Sequence, residues 1–122
     1  AMTHSGAFKA GVSVAPVSDW RLYDSIYTER WLGLPKQNPQ GYTDSATPAL
    51  ADKLHGSLLL VHGTSDDNVH FQNTVQMVDA LIKAGKQFRL MLYPGKTHGI
   101  GGTADRDHLF HMIEDHFDRE LK

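Results

Sequence analysis

Two short stretches of this 122-residue chain gather most of the side chains capable of chemistry. The first, Leu58-Leu59-Leu60-Val61-His62-Gly63-Thr64-Ser65-Asp66-Asp67-Asn68-Val69-His70, runs from unbroken apolar residues into small polar ones and a pair of carboxylates. The second, Tyr93-Pro94-Gly95-Lys96-Thr97-His98-Gly99, ends an apolar run in turn residues and a histidine. An acid and an imidazole are two of the three parts of a nucleophilic triad. The acid holds the imidazole in one tautomer, and the imidazole deprotonates a hydroxyl and later protonates the leaving group. The bland reading stands beside this one. An Asp on a strand-end loop is often a turn former or helix N-cap, and a histidine after a glycine turn is often surface decoration. Asp67 reads as the solvent-facing or capping member of its pair.

The elements that must hold these groups follow from hydrophobic periodicity. A continuous apolar run bounded by turn residues predicts a strand at Leu58–Val61 that is covered on both faces. Asp66 then lies on the loop at its C-terminal end, the edge where ligands and catalytic groups collect in parallel α/β sheets. Residues 88–93 predict the next strand, which presents His98 from the corresponding edge. Residues 8–15 predict an earlier strand, with Pro16-Val17-Ser18-Asp19 as its exit loop. Phe71, Val75, Val78 and Ile82 keep the rhythm of an amphipathic helix that Gly85 stops. Leu109, Ile113, Phe117 and Leu121 line one face of a C-terminal helix. Trp20, Tyr23, Tyr27 and Trp31 fall along one side if residues 20–33 are helical. Residues 35–47 read as a loop or a short helix, and residues 49–54 as one helical turn. Strand and helix alternate three times with no hairpin signal, which predicts a single α/β domain, a parallel sheet with crossover helices (β-α-β-α-β-α).

Composition narrows the partners. A net charge of −2 gives no sign of nucleic acid or an anionic membrane as a partner, and no apolar run is long enough to span a bilayer. The start, Ala1-Met2-Thr3-His4-Ser5-Gly6, lacks the pattern of a signal peptide and reads as the tail of an element that began earlier. Without cysteine there is no disulfide and no thiolate chemistry. Eight histidines raise the question of metal binding. His108, His111 and Asp115 could share a helical face, but their spacing is not that of a zinc-gripping helix, and a solvated face is the preferred reading.

Four blocks carry a resemblance. They are His62-Gly63-Thr64 with Asp66-Asp67-Asn68-Val69-His70-Phe71, the downstream His98-Gly99, Ala15-Pro16-Val17-Ser18-Asp19-Trp20, and Tyr23-Asp24-Ser25-Ile26-Tyr27-Thr28-Glu29-Arg30. Together they resemble the catalytic domain of dipeptidyl peptidase IV-like enzymes of the prolyl oligopeptidase family, over essentially the whole chain. The resemblance implies an α/β-hydrolase fold and a serine exopeptidase that releases N-terminal dipeptides with proline or alanine second. It implies no cofactor, a peptide as substrate, and a periplasmic or cell-surface setting. It implies that Asp66 is the triad acid and His98 the base. By the same likeness Asn68 bonds a substrate carbonyl, and Tyr23, Tyr27, Val69, Val17 and Trp20 form a pocket for the proline ring. Aromatic faces suit a flat apolar ring that needs no polar partner. The alternative for these aromatics is a helix face buried in a core, and Trp31 is assigned to packing.

One part of the family pattern does not occur in these residues. In α/β-hydrolases the triad runs nucleophile, acid, histidine along the chain, and the nucleophile sits in Gly-x-Ser-x-Gly. No such pentapeptide is present, and Ser5, Ser13 and Ser18 lack its setting. The chain is therefore expected to be the C-terminal portion of a hydrolase domain. The nucleophile elbow, the oxyanion hole and the family's β-propeller would lie outside it, leaving the isolated polypeptide inactive. Two other readings stay open, part of an acylaminoacyl peptidase or esterase, and a non-catalytic α/β interaction module. An unpaired edge on the first strand would invite pairing with a second copy, so a homo-oligomer is expected.

Overall fold

The computed structural model describes residues 1–122. Strands β1 (Ala10–Val14), β2 (Ser57–Gly63) and β3 (Arg89–Tyr93) form one parallel sheet in the order β1-β2-β3. In register, Val14 lies opposite Val61, and Val61 lies opposite Met91. The central strand is buried from Leu58 to Gly63, which is why its sequence is an uninterrupted apolar run. Its side chains alternate between two cores. Leu58 and Leu60 pack with Ala51, Leu54, Met77 and Leu81, while Leu59 and Val61 pack with Tyr93, Ile100 and Leu109. Each such side chain contributes about 1.5–3 kcal/mol when fully buried, so β2 is the element on which both layers depend.

Between β1 and β2 the chain makes a 3₁₀ turn (Trp20–Leu22), α1 (Ser25–Leu32), α2 (Pro39–Ser45) and a 3₁₀ segment (Thr47–Lys53). Helix α3 (Gln72–Lys83) crosses from β2 to β3, and α4 (Thr103–Glu120) follows β3. The α3 residues Met77 and Leu81 belong to the first core, and Leu109 of α4 to the second. Asp24 caps α1 by accepting from the Tyr27 N–H at 2.8 Å. Asn38 caps α2 by accepting from the Gly41 N–H at 3.0 Å, with Pro39 at the first helical position, where no donor is needed. No helix is long and apolar enough to cross a membrane.

The α/β alternation is as expected, but three faces are not. Periodicity places Phe71, Val75, Val78 and Ile82 on the buried side of the crossover helix. Instead α3 buries Asn73, Thr74, Met77 and Leu81, and Val75 and Ile82 are exposed. The polar pair turns inward because each member finds a buried partner. Asn73 Oδ1 accepts from the Ser18 N–H at 3.0 Å, and Thr74 Oγ1 lies 2.7 Å from His62 Nδ1. In α4, His116 is fully buried with Leu109, while Leu121 lies past the last turn and is exposed. Residues 20–33 are not one helix. The backbone is extended at Tyr23 and Asp24, because Asp19 and Asp24 each cap a separate turn. Trp31 does not pack as assigned. It is 68% exposed, with the Arg30 guanidinium 5.5 Å over its ring.

Candidate active site

Gly63 and Tyr93 are register partners at the ends of β2 and β3, so the two exit loops leave the sheet side by side. They are bonded to one another at three points. The Thr64 N–H donates to the Tyr93 carbonyl at 3.0 Å, the Ser65 N–H to the Lys96 carbonyl at 3.0 Å, and the Gly95 N–H to Thr64 Oγ1 at 2.9 Å. A Cβ on residue 63 would collide with the Lys96 carbonyl, so glycine is what permits this approach. Lys96 Nζ pairs with Asp105 Oδ2 at 2.6 Å and ties the second loop to the first turn of α4. Tyr93 Oη lies 2.8 Å from His108 Nδ1, and burial, with the charge of Asp105, pushes the phenol pKa up. Ile100 closes the loop. Its side chain is buried in the second core while its φ of 44° lies in the left-handed region, rare for a β-branched residue. Such strain persists only where the surroundings over-determine it.

In this frame His98 Nδ1 lies 2.9 Å from Asp66 Oδ2. Asp66 is 5% exposed, and its Oδ1 accepts from the Asn68 and Val69 N–H groups at 3.0 and 2.9 Å. Burial alone would raise its pKa. Hydrogen bonds from His98, Val69 and Asn68, with the charge on His98, outweigh that effect and hold the carboxyl below its ordinary value. The acid is thus an acceptor-only carboxylate at neutral pH, which assigns the His98 proton to Nδ1. The His98 side chain is 45% exposed, and its Nε2 makes no hydrogen bond. An imidazole held in this way can take up a proton at Nε2 while Nδ1–H stays anchored. Asp67 is exposed, as expected.

The aromatic residues also converge. The rings of Trp20, Tyr23 and Tyr27 are 5.8–6.0 Å apart, Trp20 stacked on Tyr27 and Tyr23 edge-on to both. They pack on one another at the surface rather than in a core, and Tyr27 is 51% exposed. Tyr23 Oη donates to Asn68 Oδ1 at 2.8 Å, which links the cluster to the Asp66 loop. Val69 is buried beside Asn68, and Val17 is half-buried on the loop leaving β1. A cavity of about 180 Å³ is lined by Trp20, Tyr27, Thr28, Trp31 and Leu32, so Trp31 borders open space beside the cluster. On α4, His111 Nδ1 donates to the Asp107 carbonyl at 2.7 Å. Asp115 pairs with Arg119 and Arg89, whose hydrogen bonds and charge lower its pKa, Arg119 first. No three His, Asp or Glu side chains are grouped to hold a metal ion.

Sequence reading passed over His62. It is fully buried within β2, and its Nε2 lies 3.1 Å from Asp66 Oδ2. A signal was available, because a histidine that continues a doubly covered apolar strand must be buried, and a buried imidazole needs partners.

The whole of residues 1–122 matches the prolyl oligopeptidase family. Dipeptidyl peptidase 4 of Bos taurus is 46% identical over 112 residues, covering 88% of this chain and 15% of that protein. Prolyl endopeptidase FAP of Homo sapiens is 44% identical over 111 residues, with the same coverage. The chain therefore spans about 15% of the length of these curated relatives. Among solved structures, Porphyromonas gingivalis dipeptidyl peptidase 4 superposes with a TM-score of 0.87 at 47% identity, over 91% of this chain and 16% of that one. A putative dipeptidyl aminopeptidase IV from Bacteroides ovatus superposes with a TM-score of 0.93 at 35% identity, over 98% of this chain and 17% of that one. The parallel sheet and its crossover helices are accordingly part of an α/β-hydrolase fold. Fold and sequence agree that the chain belongs to the prolyl oligopeptidase family.

Proposed function

We propose that this chain supplies the acid and the base of a serine-peptidase triad, Asp66 and His98, in an enzyme that removes N-terminal dipeptides with proline or alanine second. The observation that carries the reading is the 2.9 Å contact from His98 Nδ1 to a buried carboxylate, with Nε2 left open at the C-terminal edge of a parallel sheet. In this mechanism His98 Nε2 takes the proton of a serine hydroxyl as it attacks the scissile carbonyl, then delivers it to the leaving amine. Asp66 holds the tautomer and stabilises the imidazolium. Trp20, Tyr23 and Tyr27 offer apolar surface to the proline ring, with Val17 and Val69 at its margin, and Asn68 faces a substrate carbonyl. On this reading residues 1–122 are the C-terminal portion of a hydrolase domain, and the serine and oxyanion donors come from outside them.

Two assays test the proposal. The 122-residue chain should not turn over a Gly-Pro chromogenic substrate, and a rate above buffer that vanishes on Asp66→Asn would overturn that expectation. In the polypeptide encoded by the full reading frame, Asp66→Asn should lower kcat by about 10⁴-fold, the usual cost of the wrong tautomer. Unchanged turnover would sink the assignment. A second reading, a non-catalytic α/β module, is distinguished by the full reading frame. A full reading frame that also lacks the pentapeptide would establish that alternative.

A further inference from the structure

The Asp66 carboxylate meets more than one imidazole. His62 Nε2 lies 3.1 Å from Asp66 Oδ2 and 2.9 Å from the Val69 carbonyl. Both neighbours are acceptors, so Nε2 must carry a proton, which the two share. The opposite nitrogen, Nδ1, lies 2.7 Å from Thr74 Oγ1 in the first turn of α3. In the neutral ring Nδ1 accepts from that hydroxyl, which leaves Nε2–H as the only tautomer that satisfies all three partners. Phe71 stands edge-on to the ring at 5.6 Å and fixes its plane. His62, Thr74 and Val69 are all buried, so none of these bonds competes with water.

From this geometry we infer that His62 is a positioning residue for the Asp66–His98 pair: its Nε2–H orients Oδ2 of Asp66 toward His98 and keeps that oxygen an acceptor. The inference rests on the triad reading. Asp66 has four acceptor directions in use. The Asn68 and Val69 N–H groups fix Oδ1, and the two histidines share Oδ2. Without His62, the only group bonded to Oδ2 itself would be His98, a side chain with 45% of its surface in solvent, and rotation of the carboxylate about its Oδ1 contacts would be less restrained. The Asp66 and Val69 acceptors select the Nε2–H tautomer, and Thr74 accommodates it by donating its hydroxyl proton to Nδ1.

Nitrogen-15 NMR of the histidine rings tests this in the intact chain. In the unmutated protein His62 should carry a proton on Nε2, and a ring protonated only on Nδ1 would overturn the inference with no substitution needed. In His62→Leu, the His98 Nδ1 proton should exchange with solvent about tenfold faster, the weight of one buried hydrogen bond. His98 should also begin to populate its Nε2–H tautomer. His62→Gln places an amide N–H at the same distance along the side chain and should restore slow exchange. Leu and Gln variants that both match the unmutated protein would overturn the inference, as would Gln failing to rescue a Leu variant that folds. Should His62→Leu not fold, the nitrogen-15 assignment in the unmutated protein together with His62→Gln decides: a His62 ring protonated only on Nδ1, or His98 exchange in His62→Gln as fast as that of a free imidazole, overturns the inference. Asp66→Asn separates the two proposals. If it leaves the His98 tautomer unchanged, the acid–base pairing itself fails, whereas an effect of Asp66→Asn with none from His62 fails only the inference.

Discussion

Asp66→Asn should destabilise the fold as well as loosen the hold on the His98 ring, and the partners of the carboxylate give the approximate size and the sign of the pH dependence of that effect. The amide keeps one oxygen, which can still accept from the Asn68 and Val69 N–H groups. Its NH2 group replaces Oδ2 and faces the N–H groups of both histidines, donor against donor. His98 is half-exposed and can turn to water or change tautomer, so its share of the loss is small. His62 cannot, because it is fully buried. Hydrogen bonds to a charged group contribute about 1.5–3 kcal/mol each, so a net loss of about 2–3 kcal/mol is expected at pH 7. The sign of the pH dependence follows from the lowered pKa of Asp66. A carboxyl with a folded pKa below its unfolded value contributes fully above roughly pH 4, and the contribution is lost as pH falls through the folded pKa. The gap between the two proteins should therefore narrow between pH 7 and pH 3. Urea unfolding at both pH values, with the slopes compared to exclude changes in the denatured state, measures it. A gap below about 0.5 kcal/mol at pH 7, the range of ordinary surface substitutions, would refute the reasoning. So would an equal gap at the two pH values.

Three further outcomes are expected. His116 is fully buried and neither ring nitrogen has a partner, so His116→Leu should raise stability by about 1 kcal/mol in the same urea assay, and a loss would show that the ring does have partners. Gly63→Ala places a methyl against the Lys96 carbonyl and should cost about 1–3 kcal/mol while shifting the His98 resonances; unshifted resonances would mean that the two loops are not held in register there. Strand β1 lies at the sheet edge, with its own Val14 and the nearby Phe8 exposed and an apolar groove of about 340 Å³ along it, so the 122 residues on their own are expected to self-associate. Sedimentation at tens of micromolar would test this, since exposed apolar surface drives association at roughly micromolar concentrations and above. A clean monomer would remove the expectation.

Much of this was readable from residue types. The short Leu58–Val61 run bounded by turn residues reads as a strand with both faces covered, and a carboxylate and a histidine on the loops after consecutive strands lie at one edge when those strands pair in parallel. Periodicity misled where a polar side chain had a buried partner. Asn73 and Thr74 displaced Val75 and Ile82 from the inner face of α3 because Ser18 and His62 were waiting for them, a relation between residues far apart in sequence. His116 shows the reverse failure. Its burial in α4 has no polar partner to explain it, and no pattern of apolar spacing would single it out. Spacing alone would group the aromatics on one side of a helix that the extended residues at Tyr23 and Asp24 interrupt, and their grouping was expected from the family resemblance instead.

The left-handed Ile100 couples two events that would otherwise be independent. Its backbone holds an unfavourable angle while its side chain is seated among Leu59, Val61, Tyr93 and Leu109, so the packing of the side chain and the strain of the backbone are tied to one another. Withdrawing the side chain would release the backbone and carry the His98 ring away from Asp66 in the same movement. The amides of residues 94–102 should therefore open to hydrogen exchange as one cooperative latch, ahead of the sheet they close over.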